Sequence, residues 1–433
     1  MGAIDSGNTA WILTSASLVF LMTPGVAFFY GGMVRAKAVL NMLMLEAAAL
    51  SVTMIIWTLW GWSIAYAGSD IGGIFGDPAS GFLLKDSMVA QDGVFTATGL
   101  NGNNYPVSVD VAFQSAFAMI TVALICGAIA ERVKYSTWMI FVALWITFDY
   151  APLAHMVWNG GLLSADGAIS QAIGAAAHDF AGGTVVHINA AVAALVIVLI
   201  IGKRKGFGTQ PFRPHNVPFV MLGAFLLWFG WFGFNAGSAL EANGTAALAF
   251  VNTWLAPAGA ALSWTLAEWM MKGRPSLLGA VSGAVAGLVA ITPAAGFVGV
   301  GGALIIGLLS GVAGLWGVHG LKRLLGADDS LDVFGLHGVC GILGAVLTGV
   351  FASPDLGGTG VWDYVTNQVA EGYSILAQVK VQVIGVGVTV VWTALVSAVA
   401  YKLVDLLIGL RVKEDAEREG LDVTSHGEKA YSH

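Results

Sequence analysis

Two histidines stand where a methyl-bearing side chain would be cheaper. His187 lies inside "DFAGGTVVHINAAVAALVIVLIIGKRKG" (residues 179–206), an apolar helix pattern that ends in a basic cluster, and His337 lies inside "FGLHGVCGILG" (residues 334–344). Imidazole is the neutral side chain suited to accept a proton and return it near neutrality. Two imidazoles in contact can share one hydrogen, with one ring donating and the other accepting. The plainer use of a membrane histidine is to join helices through a hydrogen bond. The surroundings argue for more. Counted from His187, positions +3, +4 and +7 are Ala190, Ala191 and Ala194; counted from His337 they are Cys340, Gly341 and Gly344. These offsets share a helix face, and small residues let membrane helices approach closely. Two helices crossing at these stripes would bring the imidazoles together.

The elements that carry them are membrane spans. The chain has 433 residues, 57% hydrophobic and only 10% charged, against about 25% charged in a typical soluble domain. Its mean hydropathy is +0.79. Eleven segments are long enough to cross a bilayer, which takes roughly 20 apolar residues each. They are 10–33, 40–67, 112–131, 136–154, 181–202, 218–238, 247–271, 276–293, 297–321, 334–352 and 379–408. Of the 19 Lys and Arg, all but Lys85 and Lys380 fall in alternate connections, in the tail or, for Lys402, in the part of the last span next to the tail. Basic residues favour cytoplasmic loops, so eleven spans with the N-terminus outside and the C-terminus inside are expected. No basic segment and small-residue cleavage site precedes the first span, so no cleaved signal peptide is expected. The polar remainder comprises an outer loop at 68–111, an outer segment at 155–180 and a cytoplasmic tail at 409–433. The expected organisation is one membrane domain, 1–408, followed by that tail.

An odd number of spans suggests ten plus one. Spans one to five and six to ten would then be inverted copies, as in many transporters, and the paired histidine stripes in the fifth and tenth spans fit that repeat. Cys126 and Cys340 fall within spans and read as small packing residues. No phosphate loop, zinc motif, nucleophile elbow or cofactor motif occurs. Glu46 and Asp149 lie within spans and should face protein rather than lipid. His155 should make a structural hydrogen bond, and Glu268 with Lys272 looks like a surface i, i+4 pair.

Several motifs in order resemble the ammonium transporter (Amt/Rh) family, closer to its Amt branch. They are "PGVAFFYGGMVR" in the first span, "FQSAFAMITVALICGAIAER" in the third, "APLAHMVW" in the fourth, "DFAGGTVVHINA" in the fifth, "GWFGFNAGSA" in the sixth, "FGLHGVCG" in the tenth and "HGEKAY" in the tail. The resemblance implies an all-α fold of eleven helices, ten of them in an inverted five-plus-five repeat, assembled as a homotrimer in the cell membrane with one pore per subunit. It places the twin pore histidines on His187 and His337, and an outer cation site on Phe117, Trp158 and Ser238. The stacked phenyl gate falls on Phe117 and Phe234, and the acid at the top of the fifth helix is Asp179. It implies ammonium or ammonia as substrate, no cofactor and no enzymatic reaction. It also implies a regulatory tail packed beneath the pore and a PII-type signal protein as a possible cytoplasmic partner. One departure is the interval from Trp158 to Asp179, lengthened around "ISQAIGAAAH".

Physical chemistry gives each residue a task. Moving a bare ion into a low-dielectric pore costs tens of kcal/mol in the Born limit, while a cation–π contact returns about 0.5–2 kcal/mol. Aromatic residues can therefore concentrate ammonium but cannot carry it through. Losing a proton and passing neutral ammonia is the cheaper route, with net transport electrogenic if the proton follows separately. Each residue also has a plainer role. Phe117 and Phe234 could be ordinary core or lipid-facing aromatics, Trp158 an interfacial anchor, Ser238 a partner for a backbone carbonyl, and Asp179 a helix N-cap that shapes the vestibule. His187 lies eight residues from Asp179, roughly 12 Å along a helix, and His337 five from Asp332, roughly 8 Å. Together these fall short of a roughly 30 Å hydrocarbon core. Either the helix ends lie within the membrane or vestibules cut into it. A sensor with little transport and an Rh-type gas channel are the alternative functions.

Overall fold

The computed structural model describes residues 4–85, 87, 90–91, 94–95, 99–360, 362–363, 368–369 and 372–431. Ten of its helices are long and apolar enough to cross a membrane. In chain order they are α1 (Ser6–Met33), α2 (Ala36–Ala67), α3 (Val107–Ile129), α4 (Tyr135–Trp158), α5 (Gly183–Ile201), α6 (Val217–Gly237), α7 (Gly244–Lys272), α9 (Val300–Leu325), α10 (Phe334–Phe351) and α11 (Ile375–Ile408). The eighth, α8 (Leu277–Ile291), is apolar but only 15 residues long. At 1.5 Å per residue it reaches about 22 Å, less than the span expected over 276–293. It stops where "TPAAG" (residues 292–296) begins.

Polar caps mark where several helices start. Asp5 accepts the Asn8 N–H of α1, and Asn216, Asn243, Ser276 and Ser374 do the same for α6, α7, α8 and α11. Each satisfies an amide that has no partner within its own helix. Glycine ends others: Gly273 after α7 and Gly326 after α9 take φ of 74° and 58°, a left-handed turn that a side chain would strain.

The helices pack as two interleaved halves. The lead helices α1 and α6 pair along their length, α7 lies against α8 and α9, and α5 crosses α10. The last helix, α11, covers α4, α5 and α10. Between α2 and α3, and between α4 and α5, the connections lie on one face (the loop face), where Asp70–Ile71 pairs antiparallel with Phe75–Gly76. His155 Nε2 meets Asp70 Oδ1 at 2.8 Å, so this histidine has the structural bond expected of it.

The opposite face carries the tail. Residues 409–431 do not trail away. Val412 N–H donates to the Arg132 carbonyl, Thr137 Oγ1 donates to the Gly409 carbonyl, and the short helices Glu414–Glu419 and Leu421–His426 pack beneath α2. Glu417, 3% exposed, accepts from the Lys205 N–H and from the Arg411 guanidinium.

Glu46 and Asp149 are 2% and 0% exposed, inside the protein as expected. The Glu268–Lys272 pair differs from its expectation. Lys272 is exposed, but Glu268 is buried and accepts from the Ser276 N–H and hydroxyl as well. It therefore ties the end of α7 to the start of α8 rather than decorating a surface.

Candidate functional site

The helices that carry the histidines begin inside the protein. Residues 179–194 are buried almost without break, as are residues 327–331 ahead of α10. Both helix starts are therefore set within the protein. Such an end needs partners for its free amides. Asp179 supplies them for α5. Its Oδ1 accepts from the Gly182 and Gly183 N–H groups, and its Oδ2 from the Thr184 and Val185 N–H groups and the Thr184 hydroxyl. Burial holds this carboxyl above its usual pKa, against the pull of those donors. The N-cap position itself is Gly182, so Asp179 does the capping that the sequence suggests from three residues ahead of it.

Its counterpart in the other half is Asp329 rather than Asp332. Asp329 Oδ2 accepts the Phe334 N–H at 2.7 Å, five residues on, just as Asp179 Oδ2 accepts that of Thr184. The signal is in the spacing, because each aspartate precedes its histidine by eight residues. Asp332 instead turns to Lys322, at 2.7 Å, from a backbone φ of 64°. Burial pushes the Asp329 carboxyl up to about 6.

Both helices open with a π-helical turn, Gly183–Ile188 and Phe334–Gly338, and each histidine sits on one. Such turns are rare and cluster at functional sites. The imidazoles meet where α5 and α10 cross. Their ring centroids are 5.4 Å apart at 24°, and Nδ1 lies 3.4 Å from Nδ1. That distance is at the long edge of hydrogen bonding, and only one proton can lie between the two nitrogens. If one ring donates from Nδ1, the other carries its hydrogen on Nε2. The pair then presents one Nε2 lone pair and one Nε2–H. His187 Nε2 is buried and has no hydrogen-bond partner among the described residues.

The small-residue stripes are partly as expected. A Cβ on Gly341 would come within 3.0 Å of Ile188 Cγ1 and 3.4 Å of His187 Cβ, and one on Gly338 within 3.2 Å of Ala191 Cβ. Gly344 and Cys340 face other neighbours: Gly344 packs on the Ala290 carbonyl of α8, and Cys340 Sγ lies 3.6 Å from the Ser310 carbonyl of α9.

A column of rings leads from the loop face to the histidines. Trp158 stands edge-on to Phe117 at 6.3 Å, and Phe117 stacks on Phe234 at 4.2 Å and 11°. Phe234 lies 6.0 Å from the His187 ring. Phe117 and Phe234 are both fully buried, so neither faces lipid. Trp158 Nε1 donates to the Asp179 carbonyl at 2.8 Å, which fixes the indole against the α5 cap. Ser238 lies one turn beyond Phe234, half-buried, and its hydroxyl donates to the Phe234 carbonyl at 2.8 Å. The plainer reading of Ser238 therefore holds for its proton, while its oxygen lone pairs stay available.

The sequence alone does not mark Trp231. It stacks on His187 at 5.4 Å and 25°, and its Nε1 is held by Thr292 Oγ1 at 2.9 Å. Only its place in "GWFGFNAGSA", one turn from Phe234, hints at it. Beneath the phenyl pair lies a cavity of about 10 Å³, lined by Phe234, Trp231, Ile120, Leu124, Val285, Tyr30, His187 and His337 among others. This is the threshold for one water-sized molecule. The Tyr30 hydroxyl is committed to the Leu124 carbonyl and the Trp231 N–H to Thr292. Among these side chains the imidazoles are the groups that can both accept and donate a further hydrogen bond.

Comparison with known proteins agrees with this architecture. Residues 10–431 match the model of the Ammonium Transporter Family. An "Ammonium transporter" of Aquifex aeolicus is 47% identical over 99% of this chain and 94% of its own length, and one of Bacillus subtilis is 42% identical over 99% of each. Among solved structures, a "Sensor Amt Protein" superposes with a TM-score of 0.85 at 26% identity, covering 97% of this chain and 98% of its own. Saccharomyces cerevisiae Mep2 superposes at 0.82 with 32% identity, covering 95% and 90%. A chain matched over nearly its whole length, with ten apolar helices of spanning length, is a multi-pass membrane protein and belongs to the ammonium transporter family.

Proposed function

We propose that this protein takes up ammonium by removing a proton at the loop face and passing ammonia through the histidine-lined conduit. The observation that carries this reading is the unbroken column Trp158, Phe117, Phe234, His187, His337, ending in a cavity for one small molecule. Ammonium would be gathered by the faces of the Phe117 and Trp158 rings and by the oxygen of Ser238, while the Asp179 carboxylate adds negative potential favourable to a cation. A cation–π contact worth about 0.5–2 kcal/mol cannot offset dehydration of the ion. The molecule therefore sheds its proton and crosses as ammonia, with the imidazole pair offering it a lone pair and a donor; the proton crosses separately, accepted and returned by the imidazoles, so that net transport carries charge. Asp179 is fully engaged by its five donors, which makes it a scaffold rather than a proton acceptor.

The N-terminus lies outside and the tail in the cytoplasm, a reading supported by the alternation of Lys and Arg. The homotrimer that the family resemblance implies is part of this reading. A PII-type signal protein would act on the tail face. The relatives' names are those of transporters, so no enzymatic step is assigned.

The deciding experiment is current recording on a solid-supported membrane with an ammonium pulse over proteoliposomes. A transient current is expected, and His187→Ala/His337→Ala should lower it at least tenfold. This takes a general proton-transfer contribution of about 10²–10⁴ as the guide. An unchanged current in the double variant removes the histidines from the mechanism. Binding of ammonium with no current would favour a sensor, and one structural relative carries that word in its name.

A further inference from the structure

On the tail face, three separate stretches of chain bring cations to one cavity. Its volume is about 360 Å³. Arg35 comes from the α1–α2 connection and Lys37 from the first turn of α2, Lys205 from the α5–α6 connection and Arg418 from the tail, with Thr209 and Gln210 completing a polar wall. One carboxylate, that of Glu417, lines the same space, and both its oxygens are taken by the Lys205 N–H and the Arg411 guanidinium.

The cations are placed but not saturated. Lys205 Nζ and Arg418 Nη2 share a single carboxylate, Glu414, at 2.8 Å each. Arg35 spends Nε and Nη2 on Glu131, and its guanidinium lies over Phe212 at 4.6 Å, which fixes its plane. Among the described residues, Lys37 Nζ reaches only the Glu417 and Arg418 carbonyls, which are dipoles and not charges. Ammonium and guanidinium groups held this way keep unused N–H donors and repel one another. An oxyanion with several acceptors relieves both conditions at once, and guanidinium matches phosphate oxygens in its geometry. Conduction, as proposed above, uses none of these residues.

We propose that this cavity is a binding site for a phosphate-class anion, which pins the tail to the two connections. The anion is either a free phosphate or phosphate monoester, or the phosphodiester headgroup of an acidic lipid. Both present the same oxygens, and the cavity is large enough for either. Occupancy would couple the tail's docking to the ligand, because removing any one of the three chain segments dismantles the site.

The test uses the full chain in two arms. In detergent, isothermal titration with inorganic phosphate is run at ionic strength matched with sodium chloride. In nanodiscs, thermal unfolding is compared between phosphatidylcholine alone and phosphatidylcholine with phosphatidylglycerol. Saturable phosphate binding that weakens at least tenfold in Lys37→Gln/Arg418→Gln supports the site with a free anion as ligand. A midpoint raised by phosphatidylglycerol in the wild type, and not in that variant, supports it with a lipid headgroup. Thr209→Trp guards against a variant that simply loses its tail, since it fills the cavity while keeping all four cations, and it should abolish either effect. The proposal is overturned if chloride serves as well as phosphate and phosphatidylcholine as well as phosphatidylglycerol, or if Thr209→Trp responds like the wild type.

Discussion

Asp179 shows how one side chain can decide whether a helix starts inside a membrane protein. Four consecutive amides, from Gly182 to Val185, converge on its two oxygens. A buried N–H left without a partner costs about 1–3 kcal/mol. Asp179→Ala abandons all four and is expected to prevent recovery of folded protein or to lower its thermal midpoint sharply. Asp179→Asn keeps one acceptor oxygen and should fold with a smaller loss, of the order of 0.5–2 kcal/mol for a weakened cap. Its ammonium current should fall less than that of the double histidine variant. A normal midpoint for Asp179→Ala, read by tryptophan fluorescence, would show that the cap is dispensable. This role is visible in the sequence, because an aspartate ahead of an apolar run is an N-cap pattern. The role of Asp329 shows only in its spacing, eight residues ahead of His337, and that of Trp231 does not show at all. Nothing local marks Asp329 as a cap, since "DDSLD" (residues 328–332) offers three aspartates and the nearest to the helix is the wrong one. Trp231 owes its position to stacking on His187, a contact between helices that no single-span pattern records.

The crossing of α5 and α10 is a matter of how closely two backbones can approach. Sequence periodicity locates the small residues but assigns all of them to one interface. The three offsets sweep a wide arc, so their members meet different neighbours: Gly341 meets α5, Gly344 meets α8 and Cys340 meets α9. The π-helical turns under the histidines are equally hidden, because an apolar stretch looks the same at either winding. Gly341→Val puts branched carbon where only 3.0 Å separates a Cβ from Ile188 and 3.4 Å from His187 Cβ. Overpacking of this kind costs typically about 1–3 kcal/mol. Strain at this point should also pry the imidazoles beyond their 3.4 Å contact. The expected result is an ammonium current reduced several-fold in a protein that still purifies as a folded species. A current per molecule equal to that of wild type would mean that the histidine spacing tolerates a shift of the helices.

At the scale of the whole molecule, hydropathy and the alternation of basic residues outline the spans, since both follow from the bilayer's demand for apolar length and are indifferent to packing. The short α8 shows their limit: hydropathy over 276–293 cannot distinguish a spanning helix from one that stops early because its end is buried among others. Composition says even less about the tail, which reads as polar and solvated yet is held by buried contacts to α2, α4 and the α5–α6 connection. Glu417 is one point of that attachment: its carboxylate accepts the Lys205 N–H and, within the tail, the Arg411 guanidinium, and its carbonyl accepts from Lys37. Hydrogen bonds to charged groups contribute about 1.5–3 kcal/mol each. Since about 1.4 kcal/mol is a factor of ten in an equilibrium, Glu417→Ala should raise the undocked fraction of the tail by about tenfold or more. Trypsin reads this directly, because Lys413 and Arg418 flank and lie in the short helix Glu414–Glu419, whose backbone must unwind to enter the protease. When opening is fast relative to cleavage, the cutting rate follows the open population. Glu417→Ala should therefore be nicked in the tail about ten times faster than wild type, with the membrane helices still protected and with Glu428→Ala as a control that behaves like wild type. Equal rates for Glu417→Ala and wild type would mean that the tail's other contacts, to Asn41 and to residues 132–137, hold it without Glu417.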